Sequence, residues 1–270
     1  MTRSIADKRS EFRRLHEQGC FVLPNPWDVG SATILASLGF KALASTSAGM
    51  AWSMGRTDGA VSLDETLLHL SALAHATDLP LNADFEKAFA DRPEDVAANV
   101  GLAIDTGVAG LSVEDYPGAE SSGLFDFTLA VERVAAAKGA IATSGADIVL
   151  TARSEGFIRG APDLDETIRR LSAFSAAGAD CLYAPGLRQP SQIAAVVEAV
   201  APKPVNVLVN GMPVAELAAL GVRRVSLGGA LAGAAYGAFV RAAREIAEAG
   251  AFTALEGAAG ARVLGPLLEP

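Results

Sequence analysis

Polar and apolar side chains alternate in the stretch LNADFE, which spans residues 81–86. Alternate side chains of an extended chain point to the same face, so Asn82, Asp84 and Glu86 would share one face of a strand. Burial of two carboxylates on one face is costly unless a cation or a proton compensates them. The stretch therefore predicts a charged site rather than an ordinary core strand.

A second acidic pair, Glu114 and Asp115, ends the strand-like run VAGLSVED. One of the two must point inward and the other outward, because strand side chains alternate. The inward carboxylate and Asp84 form a cluster of acids with few basic residues to match, which is the usual environment of a hard divalent cation. We predict a Mg²⁺ site, with Mn²⁺ as the alternative metal, formed by Asp84 and Glu114 and with Asn82 and Glu86 as further candidate ligands.

One basic residue, Arg153, ends a further strand-like run, DIVLTARS. It either forms a structural ion pair with one of the acids or holds an anionic substrate by a two-point contact with a carboxylate. The excess of acids favours the second interpretation. The turn STSAG, residues 45–49, adds hydroxyl groups and small residues that let backbone N–H groups approach an anion. A metal ion, a guanidinium group and backbone N–H groups are together suited to bind a small 2-oxo acid. The metal would stabilise the enolate of that acid.

Eight short strand-like runs, separated by alanine- and leucine-rich segments of helical spacing, supply the frame for these residues. Such repetition favours parallel strands joined by right-handed crossovers, and eight units fit a (β/α)₈ TIM barrel of one domain, residues 1–270, better than an open sheet. Ser62 and Asp163 are predicted helix N-caps. The apolar run 225–240 is interpreted as a strand followed by a buried helix. The eight runs are 20–25, 41–47, 79–85, 108–115, 147–154, 179–186, 203–210 and 223–229.

Chemistry in such a barrel takes place at the carboxyl ends of the strands. The unusual polar residues collect at those ends, and they add Asn206 as a further candidate substrate ligand. Asp28, which follows the first run, is interpreted as a helix cap. The polar residues at the strand ends are Asn25, Ser45, Thr46, Ser47, Asn82, Asp84, Glu114, Arg153, Tyr183, Asn206 and Asn210.

Composition excludes several classes of partner. The 270 residues include 22 Lys and Arg against 31 Asp and Glu, which gives a formal net charge of −9 and argues against nucleic acid or an anionic membrane as a partner. The charged N-terminus lacks the apolar segment of a signal peptide, so a cytoplasmic location is expected. No HExxH, CxxC, Walker loop or GxGxxG occurs, so zinc, haem and nucleotide sites lack support.

Six sequence blocks, in order, resemble the isocitrate lyase/phosphoenolpyruvate mutase superfamily from about residue 20 to about residue 235. They are LPNPWDVGSATILASLGFKALASTSAG, GRTDG, NADFE, GLSVED, TARSEGF and KPVNVLVNG. The resemblance implies a Mg²⁺-dependent (β/α)₈ barrel that makes or breaks C–C or C–P bonds next to a 2-oxo acid, through an enolpyruvate-type intermediate. It also implies a C-terminal helix swapped between subunits, and hence a homodimer or homotetramer.

The resemblance also assigns roles to individual residues. The substrate carboxylate would be bound by Ser47, Ala48 and Gly49, with Ser45 nearby. Asp58 would lie on a gating loop over the site. Asp84 and Glu114 would support the metal directly or through water, and Arg153 would hold the substrate. Arg153, Asp58 and Glu114 are therefore the candidate catalytic residues.

Two departures from the superfamily pattern are visible. Many members have Asp-Ala-Asp where this chain has Asn82-Ala83-Asp84, so the site loses one charge, which Glu86 would replace. Isocitrate and 2-methylisocitrate lyases carry a Cys-Gly-His loop after the Glu-Asp pair, whereas this chain has Ser122 and Leu124 at the Cys and His positions. A serine hydroxyl is too weak an acid to replace that thiol, so the chain is predicted not to be either lyase.

Three functional hypotheses follow. The first is a Mg²⁺-dependent lyase or decarboxylase acting on a small 2-oxo dicarboxylic acid such as oxaloacetate. The second is a C–P bond enzyme, a phosphonomutase or phosphonopyruvate hydrolase, which needs further cations from among Arg56, Lys87, Arg92 and Arg159. The third is a non-catalytic protein that binds 2-oxo acids in a degenerate site.

Overall fold

Eight parallel strands form a nearly closed barrel with helices between them, in a computed structural model that describes residues 3–118 and 123–269. This confirms the predicted (β/α)₈ TIM barrel. The sheet order is β1-β8-β7-β6-β5-β4-β3-β2, and a hydrogen bond of 3.0 Å from Ala44 N to Pro24 O joins the two edge strands. The strands are β1 Phe21–Leu23, β2 Leu43–Ala44, β3 Leu81–Asp84, β4 Gly110–Glu114, β5 Val149–Arg153, β6 Cys181–Tyr183, β7 Val205–Leu208 and β8 Arg224–Ser226.

Each strand is shorter than its predicted run. The third run was expected to extend to Phe85, but β3 ends at Asp84 and the next charged residue, Glu86, has a left-handed backbone with φ of 48°. An L-residue rarely adopts that conformation, and it breaks the alternation of an extended chain. Asn82 and Asp84 therefore share a face of β3, whereas the expectation that Glu86 extends the same row is wrong.

The helices that cover the barrel begin at the predicted polar caps. The Ser62 and Asp163 side chains each accept a hydrogen bond from the backbone N–H three residues later, and Asp28 does the same for the first helix after β1. These caps satisfy N–H groups that have no partner within the helix. The helices are α1 Ile5–Leu15, α2 Val29–Ser37, α3 Ser47–Ser53, α4 Leu63–Ala76, α5 Pro93–Asp105, α6 Phe127–Ser144, α7 Leu164–Ala176, α8 Pro190–Val200, α9 Val214–Ala219, α10 Ala230–Ala249 and α11 Ala261–Leu268, with short 3₁₀ helices Gly156–Ile158 and Thr253–Leu255.

The amino-terminal end of the barrel is closed by α1. Phe12 is fully buried and packs in a cluster with residues of four strands, among them Leu23, Val149 and Cys181. The carboxyl ends of the strands face the other way, so this plug leaves the opposite end of the barrel free to hold the site.

The helix after β8 is less buried than expected. Only Ala232 and Ala242 of the twenty residues of α10 are buried, although the sequence predicted a buried helix here. Its large apolar side chains are exposed instead, with 67% of Phe239 and 41% of Val240 accessible. None of the described helices combines the length and apolarity needed to cross a membrane.

Candidate active site

Three carboxylates converge on one guanidinium at the carboxyl ends of β3, β4 and β5. Arg153 Nη1 lies 2.6 Å from Asp84 Oδ1, and Nη2 lies 3.2 Å from Glu114 Oε2 and 2.9 Å from Glu155 Oε1. The strand register explains the arrangement, since Glu114 is paired with Arg153 and the strands lie side by side in the sheet. From the sequence we expect Arg153 not to pair with the protein's own acids. That expectation is wrong, because all three acids contact it.

Burial makes the protonation states of this cluster unusual. Burial raises the pKa of Glu114 well above its ordinary value, and Glu155 and Asp84 raise it further while Arg153 opposes the shift. Burial alone would lower the pKa of Arg153, but Glu155, Glu114 and Asp84 together raise it well above its usual range. The guanidinium therefore stays charged, and it remains the main compensation for three acids that carry more charge than it can neutralise.

The adjacent residue Asp115 belongs to a separate network. Its side chain accepts a hydrogen bond of 2.8 Å from the backbone N–H of Glu155 and forms an ion pair of 3.2 Å with Arg170. Burial raises the pKa of Asp115 to about 6. The prediction that one residue of the Glu114-Asp115 pair faces the site and the other faces away is confirmed.

The STSAG turn is bound to Asp84 rather than left free. Asp84 Oδ2 accepts a hydrogen bond of 3.0 Å from Ser47 N, and Ser45 Oγ accepts one of 2.8 Å from Asp84 N. The N–H of Gly49 donates to Thr46 Oγ1, the N-cap of α3. The backbone groups of Ser47 and Gly49 that were expected to meet the substrate are therefore used within the protein.

Gly49 has a packing role in the same turn. A Cβ atom at this position would lie 2.6 Å from Thr46 Cγ2, which is closer than real Cβ atoms approach, and 3.0 Å from Trp27 Cβ, which is an unusually tight contact. Ala48, by contrast, lines the cavity next to the site. Close packing explains the glycine, and substrate binding by it stays a prediction.

Two adjoining cavities open above the cluster. An inner cavity of about 220 Å³ extends into the barrel, and an outer one of about 550 Å³ is lined by loop residues including Glu86 and Glu114. Arg153 and Asp58 line both cavities. The structure thus brings Asp58 and Arg153, two of the candidate catalytic residues, to the boundary between the cavities, with Glu114 on the outer one.

Asn82 and Glu86 face different cavities. Asn82 lines the inner cavity, and its buried Oδ1 has no hydrogen-bond partner. Glu86 lines the outer cavity, where burial first, and then the charges of Asp84 and Asp58, raise its pKa to about 7. The amide oxygen of Asn82 is a polar acceptor that the protein leaves unsatisfied, as a ligand or water site would require.

Asn206 lies at the base of the inner cavity. Its Oδ1 accepts a hydrogen bond of 2.8 Å from Arg224 Nε, and its Nδ2 donates to Ser226 Oγ over 2.9 Å. Both ends of the amide are already engaged, so the predicted contact with substrate would use its second Nδ2 hydrogen.

The donor set fits a magnesium ion held by few protein ligands. Among the described residues no three acidic, His or Cys side chains are grouped so that they could hold a metal. Mg²⁺, however, needs only one or two carboxylates and completes its octahedron with water. Asp84 on β3 and Glu114 on β4 supply such a set, and Asn82 is a further candidate deeper on β3, where its unsatisfied Oδ1 faces Gly110 at the start of β4.

Glu155 belongs to the site although the sequence pattern did not predict it. It is fully buried and bonds Arg153 through Oε1 at both Nε and Nη2. The spacing in RSE, residues 153–155, is a signal that could have indicated Glu155, because residues two apart at a strand end lie on the same side.

Two loop positions distinguish this chain from isocitrate and 2-methylisocitrate lyases. Ser122 lies outside the described residues, and Leu124 is partly buried.

Comparison with known proteins identifies the family. Residues 12–247 match the phosphoenolpyruvate phosphomutase family. The chain belongs to this family. The resemblance to the isocitrate lyase/phosphoenolpyruvate mutase superfamily is thus confirmed, and with it the coarse assignment to enzymes, lyases and mutases, that act on oxo acids.

Individual relatives are similar over most of the chain. A crystal structure from Burkholderia cenocepacia J2315, provisionally described as a lyase/mutase, has a TM-score of 0.94 and 45% identity, and the match covers 98% of this chain and 97% of that one. Oxaloacetate acetylhydrolase in complex with the product oxalate has a TM-score of 0.85 and 28% identity, with 98% and 94% of the chains covered. Oxaloacetate decarboxylase of Paraburkholderia xenovorans (strain LB400) is 29% identical over 221 residues, 78% of this chain and 71% of the relative.

Proposed function

We propose that the protein is a Mg²⁺-dependent carbon–carbon lyase, of decarboxylase type, that acts on a small 2-oxo dicarboxylic acid such as oxaloacetate. The observation that carries the proposal is the excess of acids at the strand ends: Asp84, Glu114 and Glu155 around Arg153, beside open cavities. Similarity to an oxaloacetate decarboxylase and an oxaloacetate acetylhydrolase supports the substrate class. Members of the superfamily generally use Mg²⁺.

Asp84, Glu114 and Asn82 would hold the metal, with Glu86 as a further candidate on the outer cavity. When bound, Mg²⁺ would polarise the 2-oxo group and stabilise negative charge that develops on its oxygen. Arg153 is fixed by its three carboxylates and orients Asp84 and Glu114. A guanidinium held in this way is preorganised and needs no rearrangement during the reaction.

The reaction breaks one C–C bond and forms one C–H bond. In oxaloacetate the bond to the distal carboxylate breaks, CO₂ leaves, and the electron pair stays on the remaining three carbons as an enolate. A proton from water or from a residue of the loop that carries Asp58 then gives pyruvate. Asp58 is exposed and lines both cavities, so it lies where that proton would enter.

The test combines turnover with binding. The purified protein is assayed for pyruvate release from oxaloacetate with Mg²⁺, with Mn²⁺ and after EDTA treatment, and calorimetry measures oxalate binding with and without Mg²⁺. We expect pyruvate release and oxalate binding that both require the metal. Full activity in metal-free protein would contradict the proposal, and metal-dependent binding without turnover of any 2-oxo acid would favour the non-catalytic alternative.

A C–P bond enzyme is the second candidate, and Arg159 is the observation that favours it. Of the four cations considered for a phosphonate, Arg56 and Arg92 pair with Glu65 and Glu94 and line neither cavity. Arg159 lines both. Release of inorganic phosphate from 3-phosphonopyruvate, or its conversion to phosphoenolpyruvate, would support this alternative.

The absence of isocitrate lyase and 2-methylisocitrate lyase activity stays a prediction. Assays with isocitrate and 2-methylisocitrate as substrates would test it.

We also propose that the chain forms a homodimer or homotetramer through its last helices. Large apolar side chains are exposed there, with 67% of Phe239, 64% of Phe252 and 56% of Val263 accessible. Such a concentration of exposed apolar surface is typical of an interface. Light scattering during size-exclusion chromatography would give the mass, and a monomer would contradict the proposal.

A further inference from the structure

Arg159 is placed where it reaches both cavities. It follows the 3₁₀ helix Gly156–Ile158, six residues after Arg153 on the loop that leaves β5. Its backbone N–H bonds the carbonyl oxygens of Glu155 and Gly156, which fixes the start of the side chain. The guanidinium carbon lies 4.0 Å from the ring centroid of Tyr116, and about a third of the side chain, 32%, is exposed. The loop therefore presents a cation at the wall that the two cavities share.

Arg159 differs from Arg153 in how its charge is compensated. Arg153 has three carboxylates within 3.2 Å, whereas within residues 3–118 and 123–269 Glu155 is the only acid within 4.0 Å of Arg159. That contact, Nε to Oε2, is 3.5 Å long, and Glu155 Oε2 has no hydrogen-bond partner. Glu155 is thus committed to Arg153, and the Arg159 guanidinium keeps donors for another anion.

Other cations near the cavities are less suited to meet a substrate. Lys87 pairs with Asp91 at 2.6 Å and lines only the outer cavity. Arg224 lies at the base of the inner cavity and is engaged by Asn206, Thr151 and His16. Arg159 is the one that combines exposure, contact with both cavities and weak internal pairing within the described part of the chain.

We infer that Arg159 binds the second anionic group of the substrate, the carboxylate or phosphonate that distinguishes a 2-oxo diacid from a 2-oxo monoacid. This rests on the proposed function of the site. A guanidinium offers a planar fork of donors that matches either group, and stacking on Tyr116 limits the directions in which the fork can point. Arg159 is then a specificity residue, while Arg153 organises the acids.

The decisive experiment compares matched ligands in Arg159→Gln, Arg159→Lys and a control, Arg92→Gln, which removes an exposed arginine that lines neither cavity. Calorimetry with Mg²⁺ gives dissociation constants for 2-oxoglutarate and 2-oxopentanoate, which differ in a terminal carboxylate against a methyl group. We expect Arg159→Gln to weaken 2-oxoglutarate binding about ten- to a hundredfold and to leave 2-oxopentanoate within about twofold. Arg159→Lys should fall between, and Arg92→Gln should behave as wild type.

Kinetics and a third ligand complete the test. Arg159→Gln should raise KM for oxaloacetate without lowering kcat, because the carboxylate that leaves loses its charge in the transition state. The same variant is assayed with 3-phosphonopyruvate. The substrate whose KM rises more in Arg159→Gln, 3-phosphonopyruvate or oxaloacetate, carries the anion that Arg159 prefers. Equal weakening of the diacid and the monoacid, or no preference of wild type for the diacid, would overturn the inference. A protein that binds the diacid through Arg159 but turns over no oxo acid would contradict only the proposed function.

Discussion

The two ends of the barrel differ in how their buried charged groups are compensated. At the amino-terminal end, Phe12 of α1 plugs the barrel. Arg224, at the start of β8 and at the base of the inner cavity, is bound by neutral groups: Asn206 Oδ1 at 2.8 Å, Thr151 Oγ1 at 3.0 Å and His16 Nε2 at 3.2 Å. At the carboxyl end, three carboxylates share Arg153 under open cavities. One end is filled and the other is left hollow with charge in excess.

The difference separates stability from chemistry. The plug buries apolar surface and satisfies its polar groups, which favours the folded state. The acid cluster retains raised carboxyl pKa values, a feature that costs stability and that collects at functional sites. A substitution at the carboxyl end should therefore change activity first, and one at the plug should change stability first.

The largest effect on activity is expected from Asp84→Asn. The change removes one charge from the predicted metal site while it keeps the shape of the side chain, so kcat/KM should fall by about three orders of magnitude. The melting temperature should change little, because the substitution also relieves repulsion among the acids. Steady-state kinetics and thermal denaturation measure the two quantities.

A matched control for this variant is Asp95→Asn, which removes a charge from the exposed first turn of α5. It should keep wild-type kcat/KM. Equal activity of Asp84→Asn and Asp95→Asn would show that Asp84 does not serve the chemistry, and the contrast between the two ends would then be one of packing alone.

The plug should give the reverse result. Phe12→Ala leaves a cavity at a fully buried position and should lower the free energy of unfolding by about 3–5 kcal/mol. Among molecules that remain folded, kcat/KM should stay within about twofold of wild type. Urea denaturation and kinetics at low temperature make the comparison, with Leu68→Ala, 73% exposed on α4, expected to cost no more than about 0.5 kcal/mol. A loss of kcat/KM in folded Phe12→Ala would mean that the two ends are coupled.

The sequence predicted the frame, and it predicted which side chains lie at the carboxyl ends of the strands, because both depend on local patterns. Eight alternating runs and the Ser62 and Asp163 caps are periodic or local signals, and each corresponds to an element of the barrel. Polar residues at strand ends led to Asp84 and Glu114 for the same reason, since strand ends of a parallel barrel meet on one side.

Pairing across the site could not be predicted in the same way. Whether Arg153 binds a substrate or the protein's own acids depends on distances of a few ångströms between three strands and on Glu155, which lies on a loop. The left-handed turn at Glu86, with φ of 48°, also departs from simple alternation, and it is accompanied by contacts with a residue distant in the sequence. One of these is the bond that its carbonyl oxygen accepts from Glu114 N.

The smallest expected effect is that the two ends of the barrel change the stability of the protein in opposite directions as pH falls. Burial, with help from the charge of Arg224, lowers the pKa of His16 from 6.5 to about 3, so the ring stays neutral and Nε2 accepts from Arg224. The unfolded chain binds a proton at His16 below about pH 6.5 and the folded chain does not. The contribution of His16 to the free energy of unfolding is therefore lost as pH falls from 6.5 towards 3.

At the carboxyl end the effect of pH on stability has the opposite sign. The folded-state pKa of Glu86, about 7, lies above that of the unfolded chain, so its contribution rises as pH falls through 7.

His16→Gln separates these two contributions. Glutamine offers Arg224 an acceptor that does not titrate, and the carboxyl end is the same in both proteins, so its contribution cancels in the comparison. When the pH is lowered from 7.5 to 5, the Tm of wild type should fall further than the Tm of His16→Gln. Each kcal/mol of extra loss in wild type corresponds to about 2–4 °C in Tm. Thermal denaturation at the two pH values measures this. Parallel losses in the two proteins would show that His16 is not what makes the plugged end sensitive to acid, and Arg224 would then have to be compensated by groups other than a neutral imidazole.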